Sequence, residues 1–154
     1  MKITAALVGG AVLLGPFAAM AIDAVENPAA VQLDPDYAAG KEAIEARRWS
    51  AAIAALSSAA LRDTRNADIQ NYLGYAYRNT GQLEAAFMHY ERALTLSPRH
   101  RGAHEYVGEA YLITNNLAKA EEHLAALQQI CLLPCEELKE LEEKIEAYKR
   151  SSKR

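Results

Sequence analysis

Small and large apolar residues recur along the chain at one fixed spacing. Three such registers advance in steps of 34 residues: Gly40, Gly74 and Gly108; Ala52, Ala86 and Ala120; and Leu56, Tyr90 and Leu124. A period of this length is typical of repeated supersecondary units, each too small to bury its own apolar face. The pattern therefore predicts a stack of repeats, with small residues where helices cross closely.

The stretch 71–98 carries the most complete copy of the repeat. It contains, in order, Leu73, Gly74, Tyr77, Ala86, Tyr90, Ala93 and Pro98. Their order and spacing resemble the tetratricopeptide repeat (TPR), although Gln70 stands where that pattern has its initial aromatic residue. The resemblance implies an all-α, right-handed solenoid of about three helix-turn-helix repeats, at 33–66, 67–100 and 101–134.

The first and third repeats depart from this pattern. In the first, Ala39 and Ala43 replace the leucine and tyrosine, and we expect Trp49 to fill space at the start of its second helix. The third has Asn115 at its turn and Leu127 where an alanine is usual. Atypical terminal repeats are expected in a short solenoid.

Helix signals bound the array at both ends. Asp34 is predicted to cap a first helix that has Pro35 at its first position and runs through Arg47. Near the other end, one helical stripe contains Leu138, Leu141, Ile145 and Tyr148. An apolar stripe of this kind suits a capping helix at 135–150 that covers the open end of the third repeat, followed by a basic tail at 151–154.

Composition adds a constraint on the partner. The chain has 154 residues, of which 51% are hydrophobic and 24% charged, and a formal net charge of −3. These values are ordinary for a soluble globular protein. Because the sequence offers no broad basic surface, we expect no binding to nucleic acid.

Residues 1–21 have the features of a secretory signal peptide. Lys2 is followed by an uncharged apolar run, which ends in an A-x-A cleavage site at Ala21. Cleavage there would make Ile22 the mature N-terminus, with a linker at 22–32, and would place the protein in the bacterial periplasm. The alternative is a retained membrane anchor, because the run is about long enough to cross a bilayer.

Cys131 and Cys135 lie between the third repeat and the closing helix. In an exported protein, a pair this close favours a structural disulfide, and Pro134 interrupts the helix so that the sulfurs can approach. A redox-responsive pair and a metal-bound or unpaired state are the alternatives, although the C-x3-C spacing is not that of thioredoxin-like motifs. Cys135 is also a candidate cap for the closing helix.

No catalytic motif is present in the sequence, which lacks a Ser-His-Asp order, HExxH and a phosphate-binding glycine loop. His100 and His104 are spaced for a metal, but His100 is expected to precede the helix rather than share its face. His89 and His123 are expected at solvent-facing or packing positions. We therefore expect neither enzymatic activity nor a cofactor nor a metal.

TPR domains are typically protein-binding scaffolds whose ligands lie in a concave groove lined by the first helix of each repeat. By helix phase, the resemblance implies a groove formed by Tyr37, Lys41, Asn71, Tyr75, Arg78, Glu105, Glu109 and Leu112. This mixture of aromatic, amide and charged groups suits a protein or an extended peptide. The alternative is that these residues are simply the solvated faces of the helices.

Some TPR domains hold the C-terminal carboxylate of a chaperone in a clamp of Lys, Asn and Arg. The clamp-like positions of this chain are Tyr37, Lys41, Tyr72, Gly102 and Tyr106, and only Lys41 fits. The sequence thus predicts a non-enzymatic adaptor of the cell envelope that binds a protein or peptide or self-associates through its ends, with membrane contact only if the N-terminal segment is retained. A thiol-responsive regulator using Cys131 and Cys135 is the alternative.

Overall fold

The computed structural model describes residues 34–152, which form seven α-helices and contain no strand. The helices are α1 (Pro35–Glu45), α2 (Trp49–Arg62), α3 (Ala67–Asn79), α4 (Leu83–Leu96), α5 (Arg101–Ile113), α6 (Leu117–Ile130) and α7 (Glu136–Ser151). The predicted all-α fold with a closing helix is confirmed. The predicted signal peptide (1–21), the linker (22–32) and the last two residues of the tail lie outside the described residues. Within 34–152, no helix combines the length and apolar character needed to span a membrane.

Side chains cap several of the helices. Asp34 caps α1 as predicted, because its carboxylate accepts two backbone N–H groups of the first turn, at 2.9 and 3.1 Å. A hydrogen bond from Arg62, at the end of α2, lowers the pKa of Asp34 to about 2. Asn66 and His100 cap α3 and α5 in the same way. Cys135 occupies the N-cap position of α7, as predicted, but its side chain makes no capping hydrogen bond.

Each repeat turns between its helices through one residue in the left-handed region. These residues, Arg47, Gly81 and Asn115, have φ values of 54°, 78° and 58° and follow the same 34-residue spacing. Glycine adopts this conformation freely, whereas an ordinary side chain is disfavoured by about 1–2 kcal/mol. The prediction that α1 runs through Arg47 is therefore wrong: the helix ends at Glu45 so that Arg47 can form the turn.

The first helices of the repeats form one continuous layer. Helix α1 contacts α3, α3 contacts α5, and α5 contacts α7. Each second helix packs against the first helix of its own repeat and against the helix that follows it. Within residues 34–152, α2, α4 and α6 do not contact one another. A stack that is closed on one side and open on the other is curved, so the first helices line its concave face.

Close helix crossings occur where the sequence places small residues. The alanines of the 34-residue register, Ala52, Ala86 and Ala120, are fully buried. A Cβ added at Gly40 would lie 2.5 Å from the side chain of Leu56, and one added at Gly74 would lie 2.6 Å from the ring of Tyr90. In these two repeats, the glycine of the first helix admits the second helix, as the sequence predicts.

The third repeat uses its glycine differently. A Cβ at Gly108 would lie 2.7 Å from Leu141 of α7, so this glycine admits the closing helix instead of α6. Leu141 and Ile145 are almost completely buried in a cluster that also includes Leu112 and Leu127. Helix α7 thus covers the end of the third repeat, as expected from its apolar stripe.

Gly108→Ala is expected to lower the free energy of unfolding by about 1–3 kcal/mol, because its methyl group would displace the buried Leu141 side chain. In a Leu141→Ala background the methyl group would enter the space that the leucine leaves. There, the better helix propensity of alanine should raise the free energy of unfolding by about 1 kcal/mol. Urea unfolding of the four proteins in this cycle measures both effects, and additive effects would contradict the contact.

Candidate functional site

The predicted groove residues all lie on the concave layer of first helices. They are Tyr37 and Lys41 on α1, Asn71, Tyr75 and Arg78 on α3, and Glu105, Glu109 and Leu112 on α5. Every one of them is buried or half-buried. They form a packed surface, here called the groove surface, instead of freely solvated helix faces. Their role in binding stays a prediction.

Three aromatic rings follow one another across the groove surface. The ring of Trp49 lies 5.8 Å from that of Tyr75, which lies 4.7 Å from that of Tyr106. We call Trp49, Tyr75 and Tyr106 the aromatic row. Of these three residues, the sequence predicts partner binding only for Tyr75 and a space-filling role for Trp49. The aromatic side chains of Trp49 and Tyr106 are the signal that could have placed them in the site.

Separate from the aromatic row, a pair of tyrosine rings lies towards the start of the solenoid. The rings of Tyr37 and Tyr72 are 6.1 Å apart, and the ammonium group of Lys41 lies 5.8 and 5.9 Å from their centres. Burial, with the carboxylate of Asp68 nearby, raises the pKa of Tyr37 to about 12. Lys41 therefore makes cation–π contacts within the protein while its side chain stays partly exposed.

Arg78 is committed to contacts within the chain. Its guanidinium forms an ion pair with Glu109, and the two side chains are only 9% and 15% exposed. The same guanidinium lies 5.1 Å from the centre of the Tyr75 ring and 5.5 Å from that of Tyr106. Arg78 and Glu109 are predicted to contact a partner; in the structure they pair with each other, and Arg78 lies against the rings of Tyr75 and Tyr106.

Asn71 and Glu105 are more deeply buried than their predicted role suggests, each with 4% of its surface exposed. The amide oxygen of Asn71 has no hydrogen-bond partner among the described residues. Burial, together with a hydrogen bond to Glu140 of α7, raises the pKa of Glu105 to about 9. Glu105 is therefore a neutral acid at pH 7 in the folded protein.

A histidine–tyrosine contact occurs twice, 34 residues apart. His89 stacks on Tyr77 with ring centres 5.2 Å apart, and His123 stacks on Tyr111 at 5.7 Å. The Nδ1 atoms of His123 and His104 lie 2.9 Å apart, and burial, with His104 beside it, lowers the pKa of His123 to about 4. These histidines occupy packing positions. Among residues 34–152, no group of three or more His, Cys, Asp or Glu residues is arranged to hold a metal ion.

The two cysteines connect the third repeat to the closing helix. The structure joins the sulfurs of Cys131 and Cys135, whose Cα atoms are 6.0 Å apart. Cys131 packs against the apolar cluster between α6 and α7. The intervening Leu132 and Leu133 are 91% and 79% exposed. Formation of this disulfide in the cell stays a prediction.

The burial of Glu105 leads to a pH-dependent stability. Because its folded-state pKa of about 9 exceeds the ordinary value of 4.5, the folded protein holds a proton that the unfolded chain releases between these values. The resulting stabilisation is complete below the ordinary value and is lost as the pH rises towards 9. Glu105→Gln should therefore gain stability relative to the wild type as the pH rises, by up to about 1.4 kcal/mol per pH unit.

Urea unfolding at about pH 5, 7 and 8.5 measures this gain. Glu142→Gln removes one charge from the exposed side of α7 and serves as the control. A difference between Glu105→Gln and the wild type that stays constant with pH would show that Glu105 ionises normally in the folded protein.

Comparison with known proteins identifies the repeat. The family model described as tetratricopeptide repeat matches residues 37–99 and 88–131. No curated protein sequence is significantly similar to the chain.

Several solved structures share the fold. The type III secretion translocator chaperone SycD of Yersinia enterocolitica is 18% identical, with a TM-score of 0.68, over 77% of this chain and 84% of that chain. PcrH, solved with the chaperone-binding region of PopD, is 18% identical, with a TM-score of 0.67, over 76% of this chain and 90% of that chain. The Sgt2 TPR domain from Aspergillus fumigatus is 20% identical, with a TM-score of 0.66, over 77% of each chain.

Identities this low show a common fold and nothing further. The family matches, however, extend over more than half of the residues. The chain therefore belongs to the tetratricopeptide repeat family.

Proposed function

We propose that this protein is a non-enzymatic scaffold that binds an extended segment of a partner protein along its groove surface. The observation that carries the proposal is the aromatic row, in which Tyr75 and Tyr106 lie on the concave layer and Trp49 stands beside them at the start of α2. Rings offer large contact areas at a small cost in conformational entropy, which suits them to peptide recognition. Tyr75 stands at the centre of the row and is half-buried, so one part of its ring remains available to a partner.

The ion pair beneath the row supports this assignment. Arg78 lies against both tyrosine rings and is held by Glu109, so the rings are fixed before a partner arrives. A surface that is already ordered loses less entropy on binding. The groove surface thus has the rigidity expected of a recognition site.

Two structural neighbours have been solved with a segment of a partner protein. PcrH is seen with the chaperone-binding region of PopD, and SycD with a peptide of the translocator YopD. Those partners belong to those proteins. Their relevance here is that a solenoid of this shape accommodates a segment of another chain.

A second candidate function is thiol-responsive regulation. The Cys131–Cys135 pair joins the end of α6 to the start of α7, and Cys131 packs in the cluster that holds α7 in place. Opening this bond would remove about 2 kcal/mol of loop-closure stabilisation. Reduction would then loosen the closing helix and change binding, whereas a purely structural disulfide would leave binding unchanged.

We further propose that the scaffold works in the periplasm after cleavage of residues 1–21. N-terminal sequencing of the protein purified from a periplasmic fraction is expected to begin at Ile22, because the preceding residues form the predicted A-x-A cleavage site. An intact N-terminus recovered from the membrane fraction would instead support a retained anchor.

The groove is tested by capturing partners from envelope extract on the immobilised mature chain, with identification by mass spectrometry. A Tyr75→Leu/Tyr106→Leu variant is expected to retain less than about a tenth of the partner held by the wild type, since central aromatic residues carry much of an interface's binding energy. Phe87→Leu is the matched control, because Phe87 is a half-buried aromatic residue on α4, outside the concave layer.

Circular dichroism and thermal unfolding verify that all three proteins are folded. Equal capture by the double variant and the wild type would contradict binding in the groove. Each capture is also made with and without reductant. A partner that is released only under reduction would favour the thiol-responsive regulator over the constitutive scaffold.

A further inference from the structure

A cavity of about 570 Å³ opens beside the aromatic row, between α3, α5 and α7. Tyr106 belongs both to the row and to the wall of this cavity. A chain lying over the row would therefore pass the cavity entrance. The acidic side chains that line it come from all three helices: Asp68, Glu105, Glu136, Glu137 and Glu140.

The basic groups at the cavity do not balance these carboxylates. His100 lies 3.0 Å from Asp68, and Arg101 lies 3.4 Å from Glu137. Among residues 34–152, no basic side chain forms an ion pair with Glu105 or Glu140. The buried Glu105 and the exposed Glu140 therefore line the cavity without a cationic partner.

Asn71 provides a separate indication of a missing ligand. Only 4% of the surface of Asn71 is exposed, and the residue lines the cavity. Its amide oxygen has no hydrogen-bond partner among the described residues. Buried acceptors are normally satisfied, and one that is not requires an explanation. The amide oxygen of Asn71 and the carboxylate oxygens of Glu105 and Glu140 are acceptors, whereas the amide nitrogen of Asn71 is a donor.

We propose that this cavity binds the side chain of a lysine or arginine from the partner segment. This inference rests on the proposed function, and it names the chemistry that the partner must carry. An ammonium group has three donors and a guanidinium five, and neither has an acceptor, so either group complements the carboxylates that line the cavity. The rings of Tyr72 and Tyr106 lie in the cavity wall and offer apolar surface to the aliphatic part of such a side chain.

The state of Glu105 agrees with this assignment. Burial and Glu140 raise the pKa of Glu105 to about 9, so Glu105 holds a proton in the free protein. A bound cation would replace that proton, because an adjacent positive charge favours the ionised form of Glu105. In the free protein Glu105 is neutralised by a proton, and in the complex it would be neutralised by the positive charge of the partner's side chain.

The test uses two acetylated and amidated pentapeptides, which have leucine and alanine around a central lysine or a central acetyl-lysine. Their affinities for the mature chain are measured by nuclear magnetic resonance titration, which also locates the shifted residues. The lysine peptide is expected to bind about tenfold more tightly, with shifts at Asn71 and Glu105. In Glu105→Gln/Glu140→Gln the affinity ratio should fall to about one while the acetyl-lysine peptide binds as before.

Glu142→Gln/Glu143→Gln makes the same change in charge on the exposed side of α7 and should retain the wild-type ratio. Equal binding of both peptides to the wild type, with shifts at Tyr75, would overturn the cavity assignment and leave the groove function intact. No binding of either peptide would overturn the assignment, and loss of the Tyr75/Tyr106 dependence in partner capture would separately reject the groove. If n-butylammonium alone binds as tightly as the lysine peptide, the cavity recognises a free amine and the assignment to a partner side chain is wrong.

Discussion

The close approach of helices at residues without bulky side chains is the constraint on which this structure depends. Gly40 and Gly74 each sit against a large side chain of the following helix, with no space for a Cβ. Fully buried alanines mark the corresponding places on the second helices. Because these contacts recur every 34 residues, each repeat takes nearly the same shape, and stacking brings the first helices into lateral contact. The concave surface is a consequence of that repetition.

Lateral contact of the first helices has an electrostatic cost, since it buries polar side chains that would otherwise face water. At one level of the groove surface this cost is offset within the chain, where Arg78 pairs with Glu109 beneath the aromatic row. At the neighbouring level it is not, because Asn71 has an unsatisfied oxygen and Glu105 is kept neutral. The polar groups around Arg78 and Glu109 therefore satisfy one another, whereas the amide oxygen of Asn71 lacks a hydrogen-bond donor.

The features that repeat with the period could be predicted from the sequence, and those that break it could not. The helix pairs, the Asp34 cap and the apolar stripe of α7 follow from local patterns and are present. The Arg78–Glu109 pair joins residues 31 apart, off the 34-residue register, and depends on how neighbouring repeats are rotated. The burial of Asn71 and Glu105 could not be predicted for the same reason. Helix phase predicts the face on which a residue lies, but the distance to the neighbouring helix determines whether that face is exposed to solvent.

Helix α7 is the point at which the separate features of this molecule meet. It fills the place beside Gly108 and contributes the buried Leu141 and Ile145 to the last cluster. It also supplies Glu140, which together with burial raises the pKa of Glu105, and it forms one wall of the acidic cavity. Its first turn begins directly after the Cys131–Cys135 connection. A shift of α7 would therefore change the solenoid end, the cavity charge and the site beside the aromatic row together, so stability and recognition cannot be varied independently at this end of the fold.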